Sequence, residues 1–89
     1  MTDLDARFEQ AAAAAKNLSE RPDNDTLLQL YALYKQGSAG DVAGARPALF
    51  DFVAGAKYDA WERLKGMPPE AAQEQYVNLV ISLGGAVDD

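Results

Sequence analysis

Leu27-Leu28-Gln29-Leu30-Tyr31-Ala32-Leu33-Tyr34-Lys35-Gln36 is the stretch on which the fold turns. Leu27, Leu30, Tyr31 and Tyr34 recur at i, i+3, i+4 and i+7, a spacing that gathers side chains on one face of an α-helix. Just upstream, Asp23, Asn24 and Asp25 offer side-chain oxygens to the free N–H groups of a helix start, and carboxylates suit its positive end. Downstream, Gly37 reads as the stop. The expected helix therefore begins between Asp23 and Asp25 and ends at Gly37.

Similar periodicity extends outward from this segment. Leu4, Phe8, Ala11, Ala12, Ala15 and Leu18 place one apolar stripe on a first helix, opposite Arg7, Glu9 and Gln10, before Ser19 to Pro22 breaks the pattern. The alanine run from Ala11 to Ala15 favours helix and presents small side chains, which suits close approach of a neighbour or a shallow groove. No period survives from Gly37 to Asp51, a length near the upper limit for an unstructured connection in a compact domain. A short third helix is expected from Val53 to Leu64, with Ala56, Ala60, Trp61 and Leu64 inward despite Gly55, and Gly66 beyond its end. Pro69 fits the first turn of a fourth helix, where its missing N–H has no intrahelical partner to lose, and Glu70 complements the dipole. Ala72, Tyr76, Leu79, Val80 and Leu83 continue that helix to Gly84, and the tail from Ala86 to Asp89 is expected to fray. No stretch alternates with period two, so the fold class is all-α.

At 89 residues the chain is expected to form one domain, 1–89. It holds no cysteine and no histidine, which removes disulfides, thiolate nucleophiles, the commonest general base and the commonest metal ligands. No catalytic residue and no metal site is expected. The first residues are acidic rather than basic, and no run approaches the roughly 18 apolar residues of a membrane span, so a cytoplasmic protein without stable membrane insertion is expected. The net charge of −6 argues against non-specific binding to nucleic acid or to an anionic membrane. That charge is uneven. From Met1 to Tyr34 three basic side chains stand against six acidic ones, from Lys35 to Lys65 five against four, and from Gly66 to Asp89 none against four. A small anion site in the middle and a mixed solvated surface both fit this distribution.

Tyr31, Tyr34 and Lys35 occupy adjoining parts of one helical face, where two phenols and a flexible point charge can converge on a phosphate. Two core tyrosines with wetted tips beside a solvated lysine would give the same pattern. Lys57 precedes Trp61 by four residues and would sit at the edge of a cleft with an apolar floor, while Trp61 itself reads more simply as core. Tyr76 is either another core tyrosine or a polar gatepost. Glu70 and Glu74 read as a solvated pair, and the glycines after Lys35 do not make a phosphate loop because the lysine precedes them.

Taken together, these features resemble the acyl-CoA-binding protein family. The resemblance runs in order through Phe8-Glu9-Gln10-Ala11-Ala12, Lys16, Leu18 and Pro22, then Tyr31-Ala32-Leu33-Tyr34-Lys35-Gln36, Gly40-Asp41 and Arg46-Pro47. It continues through Asp51-Phe52, Ala56-Lys57-Tyr58-Asp59-Ala60-Trp61, Leu64-Lys65-Gly66 and Tyr76. It implies an up-down-down-up four-helix bundle holding one fatty acyl-CoA without a covalent bond or a cofactor. It also implies ligand contacts from Lys16, Tyr31, Tyr34, Lys35, Lys57 and Tyr76, with Phe8, Ala12, Leu27 and Leu28 where the fatty chain folds back. Trp61 matches a core tryptophan. The implied role is carriage or buffering of medium- to long-chain acyl-CoA esters by a non-enzymatic monomer, with acyl-CoA-using enzymes as further partners. Two positions depart from the family pattern: Tyr58 stands where tryptophan is usual, and Val53 where a basic residue is frequent.

Two other readings compete. An acyl carrier protein needs a serine for phosphopantetheine, and Ser19, Ser38 and Ser82 all lie in unsuitable contexts. A helical interaction module that has lost acyl-CoA binding would have no need of the combined tyrosine and lysine set.

Overall fold

Asp3, Asp23 and Asp51 each stand immediately before a helix, and each carboxylate accepts the backbone N–H three residues on: Ala6 at 2.8 Å, Thr26 at 2.8 Å and Ala54 at 3.2 Å. Such caps satisfy N–H groups that the first turn leaves free. The computed structural model describes residues 3–87. The capped helices are α1 (Leu4–Ala15), α2 (Asn24–Ala39) and α3 (Phe52–Glu62), followed by α4 (Pro69–Ser82). The last has no side-chain cap and begins instead on Pro69. No strand occurs among the described residues.

The sequence expectation for the end of α2 is overturned. The helix passes through Gly37 and stops at Gly40, which takes φ +80°, a left-handed conformation that glycine adopts without penalty. Gly37 serves packing instead. A Cβ there would lie 2.9 Å from Gln73 Cγ and 3.1 Å from the Phe8 ring, so its absence lets α1 and α4 close on α2. The first helix ends at Ala15, leaving Leu18 outside it, and α3 begins one residue earlier and ends two residues sooner than its periodicity suggests. Val87 packs against the core, so the tail is held at least that far, while Asp88 and Asp89 lie outside the described residues.

Three sets of contacts fix the helix directions. Asn24, Leu27 and Leu28 at the start of α2 share a cleft with Phe52 and Val53 at the start of α3, and Trp61 near the end of α3 bonds to Gln36 near the end of α2. These two helices run parallel. Gln73, early in α4, donates to the carbonyl of Gly37, late in α2, so α4 runs opposite to them. Ala14, late in α1, approaches Gly85, just past the end of α4, so α1 runs with α4. The order is up-down-down-up, and the parallel pair requires the long crossover between α2 and α3. Phe8, Ala11, Leu30, Leu33, Ala72, Tyr76, Val77 and Val80 form the buried core.

That crossover is tied down by polar contacts. Arg46 donates two parallel bonds to Asp59, both 3.0 Å, and the Tyr58 hydroxyl donates to the Gly44 carbonyl at 3.0 Å. Asp41 Oδ1 accepts from the Gly66 N–H and from Gln36 Nε2, each at 2.8 Å. Both bonds favour the carboxylate, with the Gly66 N–H the larger influence, so Asp41 titrates below its ordinary 3.8 in the folded chain. Between that ordinary value and the lower folded one, the unfolded chain binds the additional proton, so stability declines as pH falls through this window. Asp23 and Asp59 are lowered too, by the Thr26 N–H and by Arg46 respectively. Asp41→Asn should therefore flatten part of the loss of thermal stability below pH 3.8, as measured by circular dichroism melts. Identical acid slopes for parent and variant would remove Asp41 as a contributor.

Candidate binding site

The face of α2 that carries Leu27 and Tyr31 borders two clefts at once. One, of about 520 Å³, lies between α2 and α3 and is lined by Arg21, Asn24, Leu27, Leu28, Tyr31, Phe52, Val53, Ala56 and Lys57. The other, of about 430 Å³, lies where α1, α2 and α4 meet and is lined by Ala12, Ala15, Lys16, Leu27, Leu30, Tyr31, Tyr34 and Tyr76. Because Leu27 and Tyr31 line both, the two form one bent surface. Alanines from α1 make the second cleft shallow, and leucines from α2 give both an apolar floor. A depression of about 690 Å³ between the ends of α1 and α4 is larger, but its lining of alanine, glycine, Gln10 and Asn17 offers neither cation nor aromatic ring.

Cations stand on the rim of that bent surface. Lys57 and Arg21 border the first cleft and Lys16 the second. The Lys57 ammonium lies over the Tyr31 ring, 5.4 Å from its centroid, and that of Lys35 lies over Trp61 at 5.1 Å. The ammonium that meets Tyr31 is thus supplied by α3 rather than by Lys35 one turn along α2. Lys35 lines neither cleft and is held beside them by the indole, whose face attracts cations more strongly than a phenol does. Trp61 in turn is fixed by its own N–H, which donates to Gly40 O at 2.9 Å and to Gln36 Oε1 at 3.1 Å.

Behind the second cleft, Phe8 stacks on Tyr34 with centroids 5.4 Å apart and meets Tyr76 edge-on at 5.3 Å. Phe8 and Tyr76 are buried, whereas Tyr34 is 41% exposed and offers its phenol to solvent. Phe8 therefore supports the site from beneath without lining either cleft. Burial, with a smaller contribution from Tyr34, raises the Tyr76 phenol above its usual range, so it remains a neutral hydrogen-bonding group at physiological pH.

The structure brings Lys16, Tyr31, Tyr34, Lys57, Tyr76, Ala12, Leu27 and Leu28 onto one bent surface, with Lys35 adjoining and Phe8 below. Sequence reasoning passed over Arg21, which lies in a segment without periodicity, and Phe52, which read only as part of a motif. Of the two departures, Val53 lines the first cleft, so an apolar side chain stands at a frequently basic position. Tyr58 is engaged with the crossover at Gly44. An apolar floor joined to aromatic hydroxyls and several cations suits an amphiphile with a long apolar chain and an anionic head.

The model of the family described as Acyl CoA binding protein matches residues 5–80. The chain is 47% identical over 77 residues to an acyl-CoA-binding protein homolog of Drosophila melanogaster, an alignment spanning 86% of this chain and 90% of that protein. It is 46% identical over 79 residues to enoyl-CoA delta isomerase 2 of Rattus norvegicus, covering 89% of this chain but only 20% of the enzyme. The crystal structure of Oryza sativa acyl-CoA-binding protein 2 superposes with a TM-score of 0.87 at 37% identity, covering 91% of this chain and 90% of that one. The near-full-length matches are to stand-alone binding proteins, and this chain is not an enzyme.

Proposed function

The chain belongs to the acyl-CoA-binding protein family, and from that premise we propose that it holds one medium- to long-chain fatty acyl-CoA on the bent surface and carries or buffers it in the cytoplasm. Membership implies the acyl-CoA ligand. The joining of the two clefts at Leu27 and Tyr31, with an apolar floor and a lysine rim, supports the assignment of residues. Lys16, Lys35 and Lys57 take the phosphates, Tyr31, Tyr34 and Tyr76 orient the nucleotide, and Ala12, Leu27 and Leu28 receive the fatty chain with Phe8 beneath them. The chain acts as a monomer and passes its ligand to acyl-CoA-using enzymes.

Burial of an acyl chain stabilises the complex by about 0.8 kcal/mol per CH₂, so two further carbons contribute about 1.6 kcal/mol, or slightly more than tenfold in affinity. Isothermal titration calorimetry across an acyl-CoA series should show one-to-one binding that steepens with chain length and levels off when the clefts are filled. Free CoA and free palmitate should each bind far more weakly than palmitoyl-CoA. A flat series would remove the acyl clefts from this reading. Absence of palmitoyl-CoA binding by folded protein would leave the helical interaction module in its place.

A further inference from the structure

Leu49, Phe50, Phe52 and Val53 are between 68% and 84% exposed, although they occupy four of five consecutive positions where the crossover enters α3. The one interrupting residue, Asp51, directs its carboxylate onto the Ala54 N–H as the helix cap. Arg46, the sole charged residue from Val42 to Phe50, is engaged by Asp59. The result is an apolar edge that carries no cation and whose one charge is the capping carboxylate of Asp51. Phe52 and Val53 also line the cleft between α2 and α3, while Leu49 and Phe50 do not. The edge therefore continues the cleft outward to the tip of the crossover.

We propose that this edge inserts into the surface of a zwitterionic lipid bilayer and docks the mouth of the acyl cleft there. Three features select a bilayer. First, four side chains of this size present roughly 500 Å² in all, short of the about 800 Å² that each partner contributes to a stable protein interface, so a second copy is poorly accommodated. Second, the net charge of −6 and the Asp51 carboxylate oppose an anionic surface, and the edge carries no cation that would seek one. Third, docking at a bilayer serves the carriage of acyl-CoA proposed above, on which this feature rests. A long-chain acyl-CoA partitions into bilayers by its chain, and an apolar edge continuous with the cleft lets that chain pass from lipid to protein without crossing water.

The test uses the full chain and its double variant Leu49→Asp/Phe50→Asp, whose positions lie outside both clefts. Flotation with phosphatidylcholine vesicles, without ligand, should show the parent bound and the variant reduced about tenfold or more, since two inserted apolar side chains are lost. Phosphatidylserine in the vesicles should weaken parent binding, and added salt should not abolish it. Palmitoyl-CoA affinity in free solution, by calorimetry, should be the same for both, while the rate of palmitoyl-CoA uptake from vesicles should fall in the variant. Failure of the parent to bind vesicles, or equal binding by the two chains, overturns the proposal. So does a parent dimer in sedimentation equilibrium that the variant abolishes, which would assign the edge to a second copy. Vesicle binding by a parent unable to bind palmitoyl-CoA would defeat the ligand reading and uphold the docking surface.

Discussion

Lys35→Ala is expected to weaken palmitoyl-CoA binding by roughly ten- to a hundredfold, because a charge-assisted hydrogen bond to a phosphate contributes about 1.5–3 kcal/mol. The Lys35 ammonium rests on the Trp61 ring, and that indole is anchored to Gly40 and Gln36, so the cation is held in place before a ligand arrives. Preorganisation of this kind lowers the ordering cost of binding. The fold should suffer little, since a partly exposed cation–π pair contributes only about 0.5–1 kcal/mol. Calorimetry at low and moderate salt checks both parts: the variant should lose affinity and show a shallower dependence on salt, because one cation fewer meets the phosphates. Lys65→Ala, an exposed lysine away from the clefts, is the comparison. Equal affinity of parent and Lys35→Ala would remove Lys35 from the site.

The neighbouring side chain governs a different property. Gln36→Leu is expected to destabilise the folded chain by about 2–4 kcal/mol, because three hydrogen bonds are lost at once and the Met67 carbonyl is left without its partner. Gln36 is 0% exposed. Its amide N–H groups donate to Asp41 Oδ1 and to the Met67 carbonyl, each at 2.8 Å, and its oxygen accepts from Trp61. Leucine fills a similar volume but supplies no donor, so the Met67 carbonyl is orphaned while Asp41 keeps the Gly66 N–H and Trp61 keeps Gly40. Since 1 kcal/mol shifts the midpoint of a domain this size by about 4–8 °C, thermal melts should show a drop of roughly 8–32 °C. Gln73→Leu, which loses one bond to the Gly37 carbonyl, should lose about 1 kcal/mol. A Gln36→Leu loss no larger than that of Gln73→Leu would refute the central role of the amide.

These adjacent positions also mark where sequence reading succeeds and where it stops. Periodicity placed Tyr31, Tyr34 and Lys35 on a helix, and the order of motifs placed them in a family. Neither revealed that Lys35 would turn to an indole on α3 while Lys57 came to cover Tyr31, because pairing of side chains from different helices depends on the angle and distance at which the helices pack. Gln36 carried no local signal of burial. A glutamine on a helix flank is ordinarily solvated, and only the convergence of the crossover, the end of α3 and the α3–α4 turn encloses it. Gly37 misled for a related reason: glycine ends many helices, but here the missing Cβ is needed by Phe8 and Gln73, two residues remote in sequence.

What the sequence determined by itself was local: four helices written in their apolar periods, the aspartate cap ahead of α2, the absence of histidine and cysteine chemistry, and motifs that spell the family. Such features follow from interactions within a few residues, where spacing along the chain is spacing in space. The tertiary structure alone decided the joined clefts, the partners of the lysines, the buried glutamine and the bare apolar edge beside Asp51. Each of these depends on which surfaces the packed helices cover and which they leave to solvent, a quantity no single segment contains.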